Sequence, residues 1–215
     1  MDGVIVDTEP LHKKTERVTL APFGITLTDG ELDSYMGTEA GLLMTRFIER
    51  FHLNVTFDVL YASYKSNLIR LFGEGVPPVP GTFDLIRTLS GAGVPIAVGS
   101  SSNRELVQLV LSQTGLAHHF TAVVSGDDAA RSKPHPDIFL EAARRLGVLT
   151  GQCVVIEDST NGVAAAKAAG MFCVGFRNPN STGQDLTPAD WVVRSMEEIT
   201  VGRLRALTGQ AAGRA

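Results

Sequence analysis

Between residues 11 and 79 apolar positions recur every three or four residues, and no strand-like alternation interrupts them. The spacing predicts helices over 11–22, 29–35, 41–51 and 58–72, separated by turn residues such as Gly24, Gly37 and Asn54. Pro22 is expected to end the first of these, because proline lacks the donor that a helix interior needs. Glu74-Gly75-Val76-Pro77-Pro78 then reads as a stiff linker. Beyond it the rhythm changes to apolar runs of four to six residues alternating with helical segments. Strands are predicted over 94–99, 121–124, 153–156, 172–176 and 191–193, with helices over 80–92, 104–114, 136–146, 160–169 and 196–207. Buried runs alternating with helices imply an α/β protein with a parallel sheet covered on both faces. Residues 208–215 are small and polar enough to fray.

Composition narrows the function. At 215 residues, 44% hydrophobic and 20% charged, the chain can bury a substantial core, as one large domain or a domain with an insertion. A formal net charge of −4 and the lack of a Lys/Arg run argue against nucleic acid as a partner. No apolar stretch reaches membrane-spanning length, and the N-terminus lacks the features of a secretory signal, so a cytoplasmic location is expected. Cys153 and Cys173 lie in apolar runs without C-x-x-C spacing and read as buried free thiols.

In parallel α/β folds ligands bind outside the carboxyl ends of the strands, and that is where the polar residues fall. Ser100, Ser101 and Ser102 follow the 94–99 strand, and Glu157-Asp158 follow Val154-Val155-Ile156. Lys133 sits in Ser132-Lys133-Pro134-His135-Pro136-Asp137, and Asp2 opens the chain in M-D-G-V-I-V-D-T-E-P. An acid, a hydroxyl, an ammonium and an acidic pair suit phosphoryl transfer, which needs charge neutralised and oxygens held. Local readings compete at two serines. Ser102-Asn103-Arg104-Glu105 fits a capping box, so Ser102 is expected to cap the 104–114 helix, and Ser159 suits the cap of the next.

The opening decapeptide resembles the first motif of the haloacid dehalogenase-like superfamily, D-x-D-G-x-x-x-D-(S/T)-E. The 94–102 segment resembles the second motif, Ser132-Lys133-Pro134-x-Pro136-Asp137 the third, and V-V-I-E-D-S-T-N-G-V-A-A-A-K-A-A-G the fourth. All four occur in the family's order, with a helical insertion after the first. The resemblance implies a Rossmann-like doubly wound parallel sheet, residues 1–9 and 80–207, with an inserted helical cap, residues 10–79.

It implies a Mg²⁺-dependent phosphatase in which the nucleophile is the first Asp of the motif, a position that falls immediately ahead of Met1. Asp2 becomes the general acid/base, and Ser100, Ser101 and Lys133 the phosphate-binding residues. Asp2 (through its carbonyl), Glu157 and Asp158 become the metal ligands. The cap implies substrate contacts from His12 and from the loop Tyr35-Met36-Gly37-Thr38-Glu39-Ala40-Gly41, with Thr38 and Glu39 as candidates. Related β-phosphoglucomutases carry an arginine where this chain has Ala40 and a tryptophan where it has Glu16. These departures favour a phosphatase of a small phosphorylated metabolite over a mutase. A non-catalytic phosphate-binding relative is the alternative of another class. The chain is expected to act as a monomer.

Overall fold

The computed structural model describes residues 1–35 and 38–212. The chain divides into two units, one formed by Met1–Asp7 with Pro77–Ala215 and one by Thr8–Val76.

The smaller unit is helical: α1 (Glu9–Leu20), α2 (Asp29–Asp33), α3 (Ala40–Phe51) and α4 (Phe57–Gly73). α1 starts two residues earlier than the periodicity predicts, because Pro10 occupies the first turn, where its missing N–H costs nothing. Pro22 falls in a separate 3-10 turn that ends at Gly24 in the left-handed region. α2 has a complete capping box, Thr28 with Glu31. Glu39 caps α3, its carboxylate accepting from the N–H groups of Gly41 (2.9 Å) and Leu42 (3.0 Å). Leu20, Leu32, Met44, Phe47, Leu60 and Tyr64 form the buried interior of this unit.

The larger unit contains α5 (Thr82–Gly91), β1 (Ala97–Gly99), α6 (Arg104–Thr114), β2 (Ala122–Val124), α7 (Asp137–Leu146) and β3 (Val154–Glu157). It continues with α8 (Thr160–Ala168), β4 (Phe172–Phe176), β5 (Trp191–Val193) and α9 (Val201–Ala212). Every strand pair is parallel. β4 shows the logic of the fold. Its neighbours Cys173 and Val174 are both fully buried but belong to different core clusters, one on each face of the sheet. A strand covered on both faces cannot alternate polar and apolar residues, and this one does not. Burial pushes the Cys173 thiol up to about 12. Cys153 is also a free thiol, but it precedes β3 at the edge of the core and is only half-buried.

Three further details depart from the sequence reading. Val94 does not begin a strand; its N–H returns to the Leu89 carbonyl and closes the end of α5, so β1 starts only at Ala97. The closing helix begins at Val201, after a 3-10 turn at Met196–Glu198, and runs to Ala212, into the stretch expected to fray. Residues 213–215, the rest of that stretch, lie outside the described residues.

The third departure is in the sheet. It is divided into β1-β2 and β3-β4-β5, and among the described residues nothing pairs β1 with β3. An apolar cavity of about 310 Å³ is lined by residues of both, including Val98, Val155 and Ile156, with Met1, Leu89 and Phe139.

Among the described residues no helix is long and apolar enough to cross a membrane.

Candidate active site

The opening residues make a tight turn that aims Asp2 at the strand ends. The N–H of Gly3 donates to the Val6 carbonyl (2.8 Å) and that of Ile5 to the Met1 carbonyl (2.7 Å). Thr82 ties the turn to α5 by donating its hydroxyl to the Val4 carbonyl (2.7 Å). Gly3 has φ +67°, and a Cβ there would stand 1.9 Å from Asp158 Oδ2, so this position admits only glycine.

Three of the predicted strand-end sets sit around that turn. Asp2 Oδ2 accepts hydrogen bonds from the hydroxyls of Ser100 (2.9 Å) and Ser102 (2.9 Å), while the Ser102 N–H donates to Ser100 Oγ (3.1 Å). Ser100 is buried, and its N–H donates to the Val124 carbonyl (3.0 Å), extending the β1-β2 ladder by one step. Ser101 is exposed beside it. Ser102 is therefore not the helix cap; Asn103 takes that role, accepting from the Leu106 N–H (2.9 Å). Either side chain could have capped α6, and the carboxylate of Asp2 claims the serine.

Lys133 and Glu157 form the second feature, an ion pair with about a tenth of each side chain exposed. Burial pushes Glu157 up, but the Lys133 ammonium and its hydrogen bond overcome this and hold it below the ordinary carboxylate range. Its other oxygen, Oε2, accepts from the N–H groups of Asp158 (3.0 Å) and Ser159 (3.1 Å) and from the Ser159 hydroxyl (2.9 Å). Ser159 in turn caps α8 by accepting from the Gly162 N–H (3.0 Å). Asp158, also buried, is pushed up to about 7, first by burial and then by the charge of Glu157 next to it.

Gly162 is where this arrangement has least room. A Cβ there would lie 2.0 Å from Glu157 Cδ and 2.1 Å from Oε2. Gly162→Ala is expected to displace Glu157 from Lys133 and to cost roughly 2–4 kcal/mol by overpacking a buried ion pair. Thermal denaturation checks this against Gly151→Ala, where no atom lies within 4 Å of the added carbon and little change is expected.

The larger unit thus brings together Asp2, Ser100, Lys133, Glu157 and Asp158. The cap candidates sit in the helical unit. His12 Nδ1 lies 3.3 Å from the Tyr64 hydroxyl, and its ring meets Phe72 edge-on at 5.6 Å. Thr38 donates its N–H to the Tyr35 carbonyl (2.9 Å), and Glu39 is engaged as a helix cap. Met36 and Gly37 of the same loop lie outside the described residues.

Sequence reasoning missed Asn178 and Asn180. The buried Asn178 amide donates to the Gly3 carbonyl (3.0 Å), and the Asn180 amide donates to Asp7 Oδ2 (2.5 Å). Both follow the carboxyl end of β4, so the rule that singled out Ser100 and Asp158 would have found them.

Hard carboxylate oxygens are the donor type that Mg²⁺ prefers, and a buried carboxyl raised to about 7 is one that a cation would relieve. Among the described residues no three His, Cys, Asp or Glu side chains converge closely enough to hold a metal ion. The fit therefore rests on Asp158 and the neighbouring Asp2, with water, backbone carbonyl and phosphate oxygens completing the shell, as Mg²⁺ commonly accepts.

Residues 1–176 match the family profile described as haloacid dehalogenase-like hydrolase. The fructose-1-phosphate phosphatase YqaB of Escherichia coli is 36% identical over 178 residues, covering 82% of this chain and 93% of that protein. Among solved structures, CbbY from Rhodobacter sphaeroides in complex with xylulose-(1,5)bisphosphate superposes with a TM-score of 0.80 at 26% identity. That likeness covers 95% of this chain and 96% of the other. A putative β-phosphoglucomutase from Thermotoga maritima gives the same TM-score at 25% identity, over 100% and 97% of the two chains. With four motifs in order, their polar residues gathered at the ends of parallel strands, and a profile match over most of its length, the chain belongs to the haloacid dehalogenase-like hydrolase family.

Proposed function

We propose that this chain is the catalytic body of a cytoplasmic, monomeric, Mg²⁺-dependent phosphatase of a small phosphorylated metabolite, a sugar phosphate or a similar ester. The nucleophile in this reading is an aspartate on a strand immediately preceding Met1. The observation that carries the reading is the meeting, at the ends of β1 and β3, of a carboxylate held by two serine hydroxyls and a buried lysine–glutamate pair. The 310 Å³ apolar cavity supports the position of the nucleophile. It lies between two parallel strands, each with only one strand partner among the described residues, and Met1 forms part of its wall. The name of YqaB as a fructose-1-phosphate phosphatase supports the substrate class.

In this reading each residue has a role. Lys133 places its charge beside the acidic pair and neutralises the transferring oxygens. The aspartate attacks phosphorus as the ester P–O bond breaks, and Asp2, aimed by Ser100 and Ser102, delivers a proton to the departing oxygen. Asp2, now ionised, takes a proton from the water that attacks the aspartyl-phosphate, releasing phosphate and restoring the aspartate. Mg²⁺ held by Asp158 and the Asp2 carbonyl, with Glu157 behind them, would supply charge neutralisation for the phosphoryl group.

The test is hydrolysis of p-nitrophenyl phosphate, with and without Mg²⁺, by the 215-residue chain and by a version carrying an apolar strand that ends in Asp before Met1. Activity is expected only in the longer version and only with the metal. Activity of the short chain that depends on Asp158 would overturn the assignment of the nucleophile. Two folded but inactive proteins would favour a phosphate-binding role, and transfer of phosphate between two sugar hydroxyls without release would favour a mutase.

A further inference from the structure

The loop after β4 encloses a second cavity that the mechanism above does not use. Its two ends are tied down. At one end the Arg177 N–H donates to the Val193 carbonyl (2.9 Å), and Asn178 is anchored on Gly3. At the other, Gln184 Oε1 accepts from the Thr160 N–H (2.9 Å), and Thr160 Oγ1 accepts from the Asp185 N–H (2.8 Å). Between these anchors is a polar cavity of about 280 Å³, lined by residues of this loop and, from outside it, by Asp158 alone. Ser181, Thr182 and Gln184 are among its lining residues, and Arg177 is the only cationic residue among the described residues that line it.

Several arginines of this unit are committed to acids. Arg104, Arg131, Arg144 and Arg145 each pair with a carboxylate. Among the described residues no carboxylate or carbonyl accepts from the Arg177 guanidinium. Arg177 and Asp158 line the same cavity, an arrangement that suits a ligand with two anionic groups. The phosphoryl group would be taken at the Asp158 end, and a second anionic group would meet the planar donor fork of Arg177, the geometry that recognises carboxylate or phosphate through two parallel bonds.

We propose that this cavity is a specificity subsite, in which Arg177 selects phosphate esters that carry a second anionic group. The proposal rests on the phosphatase reading for the placement of the phosphoryl group, but its test does not need turnover. Calorimetric titration of the 215-residue chain, in Mg²⁺, would compare 3-phosphoglycerate with glycerol 3-phosphate, which differ in a carboxylate against a hydroxymethyl group. The acid is expected to bind about tenfold more tightly, a ratio of the size one charge-assisted bidentate contact gives. Arg177→Gln should erase that preference and leave glycerol 3-phosphate binding unchanged, and Arg177→Lys should restore part of it. Arg177 is exposed and outside the core, so the fold is expected to survive both changes.

Equal affinities in the unaltered chain, an equal loss for both ligands in Arg177→Gln, or no binding of either would overturn the proposal. Failure of the phosphatase reading would show separately, as absent hydrolysis of an aryl phosphate that has no second anion.

Discussion

Lys133→Met is expected to destabilise the protein by roughly 3 kcal/mol and, in the strand-restored version, to lower kcat by about 10²–10³-fold. The two effects have different origins. Stability falls because Glu157 is left buried with one oxygen unpaired, and a buried ion pair that loses a single partner leaves an uncompensated charge. The remaining bonds from Asp158, Ser159 and the Ser159 hydroxyl hold only Oε2. Activity falls because the transferring oxygens lose their cation. The double variant Lys133→Met/Glu157→Gln separates the two. It removes both charges, so urea unfolding should recover most of the lost stability, whereas the rate of p-nitrophenyl phosphate hydrolysis should stay low. Recovery of both together would mean that Lys133 is only a structural partner of Glu157.

Glu16→Gln is expected to stabilise the protein at pH 8 by about 2 kcal/mol and to leave it nearly unchanged at about pH 4. Glu16 is 7% exposed on α1 and pushed up to about 7, first by burial and then by the nearby Glu9 carboxylate. Its Oε2 has no hydrogen-bond partner among the described residues. The nearby cations on the same helix are engaged elsewhere, Lys13 with Asp33 (2.5 Å) and Arg17 with Asp29 (2.6 Å). Between its ordinary value of 4.5 and about 7 the folded chain therefore binds more protons here than the unfolded chain. The stability contributed by protonated Glu16 is fully present below 4.5 and is lost as pH rises through about 7. The loss is at most about 1.4 kcal/mol for each pH unit climbed between those two values. Glutamine cannot ionise and should abolish that loss. Chemical denaturation of both proteins from about pH 4 to pH 8 gives the answer as a difference, which cancels the contribution of Asp158 and every other shared group. A constant difference across that range would refute the assignment.

How much of this could be read beforehand depends on how local each cause is. The strand-end rule located Ser100 and Glu157-Asp158, because an apolar run followed by a polar residue is visible within a few positions, whereas Asp2 and Lys133 follow no such run and stand out through their motifs. Ser102 misleads for the opposite reason. Its capping pattern spans four residues, whereas the partner that claims it, Asp2, is 100 positions away. Asn178 stands at a strand end that the same rule reaches, but its partner, the Gly3 carbonyl, is 175 positions away and gives no local sign. The same limit applies to Glu157. Its place beside Asp158 suggests a metal ligand, and only the structure shows both of its oxygens already engaged.

The packing of the first five residues has a consequence for synthesis. Met1, Val4 and Ile5 line a cavity whose other walls come from residues 82–205, so this segment finds its neighbours only after most of the chain that follows it has been made. The helical unit Thr8–Val76, built from local contacts, can fold in the meantime. The parallel core must wait until β3 and β4 have emerged, and during that interval its strand edges are open to other chains. Slow, concentration-sensitive maturation is the expected result of packing residues 1–5 against residues so much later in the chain.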